Sequence, residues 1–301
     1  MGGLVARAMC HPDMGKAELN ELVAGVVHGE QPAVGAAAAY KRMHAGFEAR
    51  WWNLVELITA RALGWSGKEV TSVFANSPGA MQLLPTKRYP KGWLRIKAGA
   101  GKNLMELPVS NPYEEIYKVR EKWWRLMTPE WINPDDTNLP EEQLDTVWRN
   151  YEKRVDIVED FHDKLDDYYH GVTHAHYGAD DRHKTWKNIT WHLEERNANQ
   201  YEWPDRPPPE ATNEAPQAAF VKSDAQGKVT IRFGSAESNY RLAKHDSPGD
   251  GTVPECSGED TASKAEFATK MKGYDHQGSY SNKAVKDVTT YSVMRIAINK
   301  C

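Results

Sequence analysis

At 301 residues the chain can bury a sizeable core, as one large domain or as a core with a cap. Its net charge of −4 and pI near 6.3 give no general electrostatic reason to bind nucleic acid. No apolar run approaches the roughly 18–20 residues that span a bilayer, and the first residues carry no signal-peptide pattern. Three cysteines, Cys10, Cys256 and Cys301, are too few and too scattered for a disulfide framework or a zinc cluster, so they read as free thiols.

Gly3 to Cys10 is short and apolar and predicts a helix. After the polar break His11-Pro12-Asp13, Leu22 to Val27 reads as a strand. It is continuous rather than alternating, as in a parallel sheet covered on both faces, and His28-Gly29 ends it. From Gln31 to about Asn138 helices dominate. Ala36 to Gly46 is alanine-rich, and Trp51 to Leu63 is amphipathic up to the stop at Gly64. Ser66-x-x-Glu69 is a capping box, opening a helix that runs to Phe74. Trp93 to Ile96 and Leu104 to Leu107 predict a small hairpin.

Leu144 to Tyr168 is the longest periodic segment, with Leu144, Val147, Tyr151, Val155 and Val158 on one face and charges opposite. Val172 to Tyr177 and Asn188 to Leu193 predict further strands of the sheet. Residues 203–217, centred on Pro207-Pro208-Pro209, read as an exposed loop. Ala218 to Ser223 and Lys228 to Phe233 flank Asp224-Ala225-Gln226-Gly227 as a hairpin, and Tyr240 to Lys244 adds a third strand. Asn282 to Ile298 is a closing helix with Val285, Val288, Val293, Ile296 and Ala297 as its buried side. The division this suggests is a core segment at 1–30, a mainly helical cap at 31–138 and the rest of the core at 139–301. Eleven tryptophans, spread through the middle, suit that core.

Chemistry concentrates near the C-terminus. Gly249-Asp250-Gly251-Thr252-Val253-Pro254 puts a carboxylate on a tight turn, its side chain free of the backbone. Gly273-Tyr274-Asp275-His276-Gln277-Gly278-Ser279-Tyr280 then sets a histidine among turn formers. An acid and then a histidine make the second half of a Ser…Asp…His order, the chain order of the α/β-hydrolase triad. Asp246 is a rival acid, since Lys244-His245-Asp246 also comes after a strand, but Asp250 fits the turn motif. His28, at a strand end, suits either a pocket wall or a structural role.

Met1-Gly2-Gly3-Leu4-Val5-Ala6-Arg7 resembles the run just after the nucleophile in a lipase elbow, written G-H-S-M-G-G-L-V-A-R. With Ser77-Pro78-Gly79 through Pro85, Val26 to Gly29, the Asp250 turn and the His276 segment, these motifs occur in the expected order. Together they resemble serine lipases related to the GPI inositol-deacylase and lecithin:cholesterol acyltransferase groups, and most of all bacterial lipase effectors of type VI secretion. The resemblance implies an α/β fold: the C-terminal part of an α/β-hydrolase sheet with an inserted helical cap. It implies hydrolysis of a lipid or phospholipid ester without a cofactor, with Asp250 as the acid, His276 as the base and the backbone N–H of Met1 in the oxyanion hole. It places the nucleophilic serine just before Met1, so residues 1–301 alone are expected to be inactive. It further implies a membrane surface as the site of action, secretion from a bacterial cytoplasm, an immunity protein as partner, and no nucleic acid.

Two other classes compete. His170, His174, His176, Asp180, Asp181 and His183 crowd fourteen positions, and imidazole with carboxylate suits a divalent metal hydrolase. They fit no metallohydrolase signature, and the expectation is a polar loop with no metal. The second competitor is a non-catalytic protein that uses the pocket or cap to bind a lipid or a protein.

Overall fold

The computed structural model describes residues 1–15, 17–47, 64, 66–98, 102–133, 139–194, 219–223, 227–233 and 236–300. The first part runs α1 (Gly2–Cys10), α2 (Ala17–Leu22), β1 (Val26–Gly29), α3 (Ala37–Ala45), α4 (Gly67–Phe74) and α5 (Pro78–Met81). Then come β2 (Leu94–Lys97), β3 (Asn103–Leu107), the long α6 (Glu141–Leu165), β4 (Thr173–Gly178), β5 (Asp180–Thr185) and β6 (Ile189–Leu193). The chain continues with β7 (Ala219–Ser223), β8 (Lys228–Phe233), β9 (Ala236–Leu242) and β10 (Ser247–Gly249). It finishes with α7 (Glu255–Ala262), β11 (Phe267–Met271) and α8 (Lys283–Lys300). The expected helix at Trp51 to Leu63, the proline-rich loop at 203–217 and the turn residues 224–226 lie outside the described residues.

One sheet is parallel, in the order β1-β4-β11. β4 is central and buried at every position, because neighbours pair with both its edges and helices cover both faces. Successive side chains of a strand point to opposite faces. Tyr177 meets Gly258 of α7, while His176 meets Thr289 of α8, so the two helices lie on opposite sides. The second sheet is mixed, in the order β3-β2-β6-β9-β8-β7. It joins the hairpin at 94–107 to the strands of 189–242, with β2 parallel to β6. Its face carries the main core, where Trp93, Trp123, Trp191 and Tyr240 are buried and in contact with neighbouring rings. A ribbon of β5 and β10 links the first sheet to the turn after Gly249.

Local signals translated directly. Ser66 Oγ accepts from the Glu69 amide and the Glu69 carboxylate from the Ser66 amide, which is the reciprocal capping box that starts α4. Three expectations need correction. Leu22 ends α2 and is 77% exposed, and the strand starts only at Val26. A short apolar run does not distinguish a helix end from a strand. Asn188 to Leu193 does contain a strand, but it belongs to the second sheet, not to the parallel one. In α8 the buried positions are Val285, Ser292 and Ile296, whereas Val293 is exposed, one residue and about 100° round the helix from Ser292.

Candidate active site

The carboxyl ends of the three parallel strands converge on one place. β1 ends at Gly29 and leads into Glu30; β4 ends at Gly178 and leads into Asp180; β11 ends at Met271 and leads into the loop bearing His276. In open α/β sheets this end of the strands is where sites form.

Asp250 sits directly after β10, with Gly251 (φ +85°) turning the chain behind it. Glycine suits that left-handed position because it has no Cβ to clash. The turn is held at both sides: Gly251 N–H donates to the His183 carbonyl at 2.7 Å, and Thr185 Oγ1 donates to the Thr252 carbonyl at 3.1 Å. Within it, Asp250 Oδ1 accepts from the amides of Thr252 (2.9 Å) and Val253 (2.7 Å). That leaves Oδ2 for His276, whose Nδ1–H donates to it at 2.6 Å. A second bond, from the His276 amide to the Asp250 carbonyl at 2.7 Å, ties the two backbones together. The two residues expected to form an acid–base pair are therefore in direct contact across 26 positions of sequence.

The two members differ in environment. Asp250 is 1% exposed, whereas the His276 side chain is 36% exposed, so the acid is buried and the base reaches solvent. Burial opposes ionisation of Asp250, but the hydrogen bond and charge of His276, with the Val253 and Thr252 amides, hold its carboxyl below the ordinary range. For His276, burial likewise disfavours the charged form. The Asp250 hydrogen bond and charge, with the Glu30 charge, outweigh burial and the Met1 ammonium and raise the imidazole above its usual value. With Nδ1 engaged by Asp250, Nε2 is the nitrogen left to exchange a proton with another group.

The remaining sequence candidates have other work. Asp246 accepts from the amides of Lys187 (2.8 Å) and Asn188 (3.2 Å), so it closes a surface turn. His28 is 3% exposed, packs edge-on to Tyr169, and is pushed down to about 4 by burial and by the nearby Arg7 charge. Among the described residues no three His, Cys, Asp or Glu side chains gather as a metal-binding group. His174 and His176 lie in β4, within the strand expected at Val172 to Tyr177, and face Phe267 and Glu30; the polar loop expected beyond it is instead strand β5. Asp180 clamps the base loop by accepting from Gly273 N–H at 2.8 Å and from Arg182 N–H at 2.9 Å. Those amides hold its carboxyl low.

The sequence reading missed Glu30 and the use of Tyr274. An acid one residue past the end of a parallel strand was a signal available for Glu30. A cavity of about 320 Å³ lies elsewhere, lined by Arg7, Lys87, Arg88, His162 and Asp166 among others. Its outer cations are already paired, Lys87 with Asp163 and Arg88 with Asp260. Among the described residues no helix is long and apolar enough to cross a membrane.

No family model matches the chain, and no curated protein matches it. Among solved structures it is similar to a chain in the crystal structure of the Tle4–Tli4 complex, with a TM-score of 0.72 and 28% identity. The match covers 98% of this chain and 58% of that one, so this chain spans under two thirds of the length of the structure it resembles. The fold is α/β, of the α/β-hydrolase kind.

Proposed function

We propose that this chain carries the acid and the base of a lipase of the type VI effector kind, hydrolysing a carboxylic ester of a lipid or phospholipid. The observation that carries the reading is the 2.6 Å contact between His276 Nδ1 and buried Asp250, at the carboxyl ends of the parallel strands. The similarity to a chain of the Tle4–Tli4 complex supports it. In this proposal the nucleophilic serine stands at the position before Met1, where the lipase-like run Met1 to Arg7 places it.

The geometry distributes the roles. Asp250 accepts a hydrogen bond from Nδ1–H, which holds the proton on Nδ1 and leaves Nε2 able to take the serine proton as the oxygen attacks the ester carbonyl. The protonated imidazole gives that proton to the leaving alcohol, forming an acyl-enzyme. Water then attacks the acyl carbonyl and gives a proton to His276, and the serine oxygen takes that proton as its bond to the acyl group breaks and the carboxylic acid leaves. In a chain continuing upstream of Met1, the Met1 N–H is an amide at the start of α1 and serves as an oxyanion donor. The segment 31–138 acts as the cap, tied to the strands of 189–242 through the six-stranded sheet. The similar structure is a complex of two proteins, and an immunity protein is part of this proposal.

The test compares residues 1–301 with a form extended upstream to include Gly-His-Ser before Met1, on short-chain esters and on phospholipid vesicles. The extended form should turn over both, and His276→Ala should abolish that activity. Ester hydrolysis by residues 1–301 that survives His276→Ala would overturn the assignment.

A further inference from the structure

Behind the acid–base pair lies a second buried carboxylate with an unusual setting. Glu30 is 5% exposed and adopts φ +52°, a left-handed conformation that non-glycine residues rarely take. Its backbone N–H is held by the His176 carbonyl at 3.1 Å. At the ends of the strands its side chain meets two donors and the ring of His176. Tyr274 Oη donates to Oε1 at 2.6 Å, His176 Nδ1 lies 3.2 Å from the same oxygen, and Gly178 N–H donates to Oε2 at 2.8 Å. A side-chain carboxyl can accept from both the Tyr274 hydroxyl and the Gly178 amide, one on each oxygen.

The partners come from the loop bearing His276 and from the end of β4. Tyr274 is two residues before His276. Gly178 is the last residue of β4, and a Cβ there would lie 2.8 Å from Asp250 Cβ and 3.1 Å from Glu30 Oε2. His176 connects to Thr289 of α8 at 3.2 Å. One carboxylate therefore joins the end of β1, the end of β4, the base loop and α8. Burying a carboxylate is costly unless its charge is used or fully bonded, and here it also acts on the imidazole of His276.

We propose that Glu30 is a positioning residue for the base: it ties the loop carrying His276 to the end of β4 and thereby sets the imidazole against Asp250. The proposal rests on the acid–base reading of Asp250 and His276, and it adds a third acidic residue with a separate task. Of the charges acting on His276, Asp250 and Glu30 favour the imidazolium and the Met1 ammonium opposes it. Glu30 favours the imidazolium, so its removal lowers the pH at which His276 loses its proton. Tyr274, whose hydroxyl is pushed up by burial and by the Glu30 bond and charge, stays protonated and serves as the donor.

The experiment is nitrogen-15 NMR of histidine-labelled residues 1–301, comparing the parent, Glu30→Gln, Tyr274→Phe and Asp250→Asn. Glu30→Gln should lower the His276 titration midpoint and speed solvent exchange of its Nδ1–H. Tyr274→Phe keeps the charge and removes only the tether, so it should speed exchange with a smaller change in midpoint. In the extended, active form, Glu30→Gln should lower kcat by about ten- to a hundredfold with KM little changed, the size expected for a displaced catalytic group. If both Glu30→Gln and Tyr274→Phe leave the His276 midpoint and exchange at parent values, the positioning role is wrong. Should Glu30→Gln fail to fold, Tyr274→Phe decides the matter by its exchange rate alone. The readout needs no turnover: inactivity of the extended form counts against the lipase reading, and silence in the His276 signals counts against Glu30.

Discussion

Asp250→Asn tests the pair most directly, because the two carboxylate oxygens have separate duties. Oδ1 serves the Thr252 and Val253 amides, and Oδ2 serves His276 Nδ1–H, so every partner is a donor. Asparagine offers one carbonyl oxygen and one NH2. If the NH2 faced the two backbone amides, two donors in a buried turn would lose their acceptor, at about 1–3 kcal/mol each. Asparagine therefore keeps its oxygen on the amides and turns its NH2 toward His276. The imidazole must then accept at Nδ1 and carry its proton on Nε2, the nitrogen that has to be free to act as base. The stability loss is the difference between a charge-assisted bond and the neutral one that replaces it, about 1 kcal/mol, and less here because His276 is about a third exposed. The catalytic loss is far larger, about 10⁴-fold, the size a wrong tautomer causes in a serine protease triad. Nitrogen-15 shifts of His276 at neutral pH should show the proton moving from Nδ1 to Nε2. A variant that keeps Nδ1–H, or an extended form that keeps ester turnover within about tenfold, refutes this account.

Gly178→Ala introduces a Cβ 2.8 Å from Asp250 Cβ, so it should cost about 1–3 kcal/mol in urea unfolding and weaken the His276 Nδ1–H signal; unchanged values of both would show that the contact yields freely. Stability should also depend on pH in a definite way. The depressed Asp250 contributes above its unfolded pKa of about 3.9 and loses that contribution as pH falls through its lower folded value. The raised His276 contributes fully below its unfolded pKa of about 6.5 and loses it as pH rises through its higher folded value. Urea unfolding of parent and Asp250→Asn should thus differ most between roughly pH 4 and 6.5 and less on either side, and a difference independent of pH would contradict the charge pairing.

How much of this was legible in the sequence depended on how local the cause is. The capping box at Ser66 and Glu69 spans four residues, and its partners are fixed by helix geometry, so sequence and structure agree. The periodicity from Leu144 onward marked α6, observed as Glu141–Leu165, because a 3.6-residue repeat needs no knowledge of the rest of the chain. β2 and β3 were visible as a hairpin, yet nothing local announced that β2 would pair with β6, whose sequence lies some ninety residues away. Strand pairing over such a distance is decided by the packing of the whole core, here by the rings of Trp93, Trp123, Trp191 and Tyr240.

The same division applies within the site. Asp250 and His276 stood out because each sits in a turn of glycines and hydrogen-bonding residues, a setting that marks a side chain held clear of the backbone. His174 and His176 stood out too, but for a different use. Histidines two apart suggest ligands converging on one ion, but in a central strand that spacing sends both rings to the same covered face, where packing against Phe267 and bonding to Glu30 uses them. Glu30 was hidden because its partners are the hydroxyl of Tyr274, the ring of His176 and the amide of Gly178, from two further strand ends. Only when three parallel strands finish at one level does that carboxylate acquire a task. A buried acid at the carboxyl end of a parallel strand is thus a question the sequence can pose, and its answer lies in the donors that other strand ends bring to it.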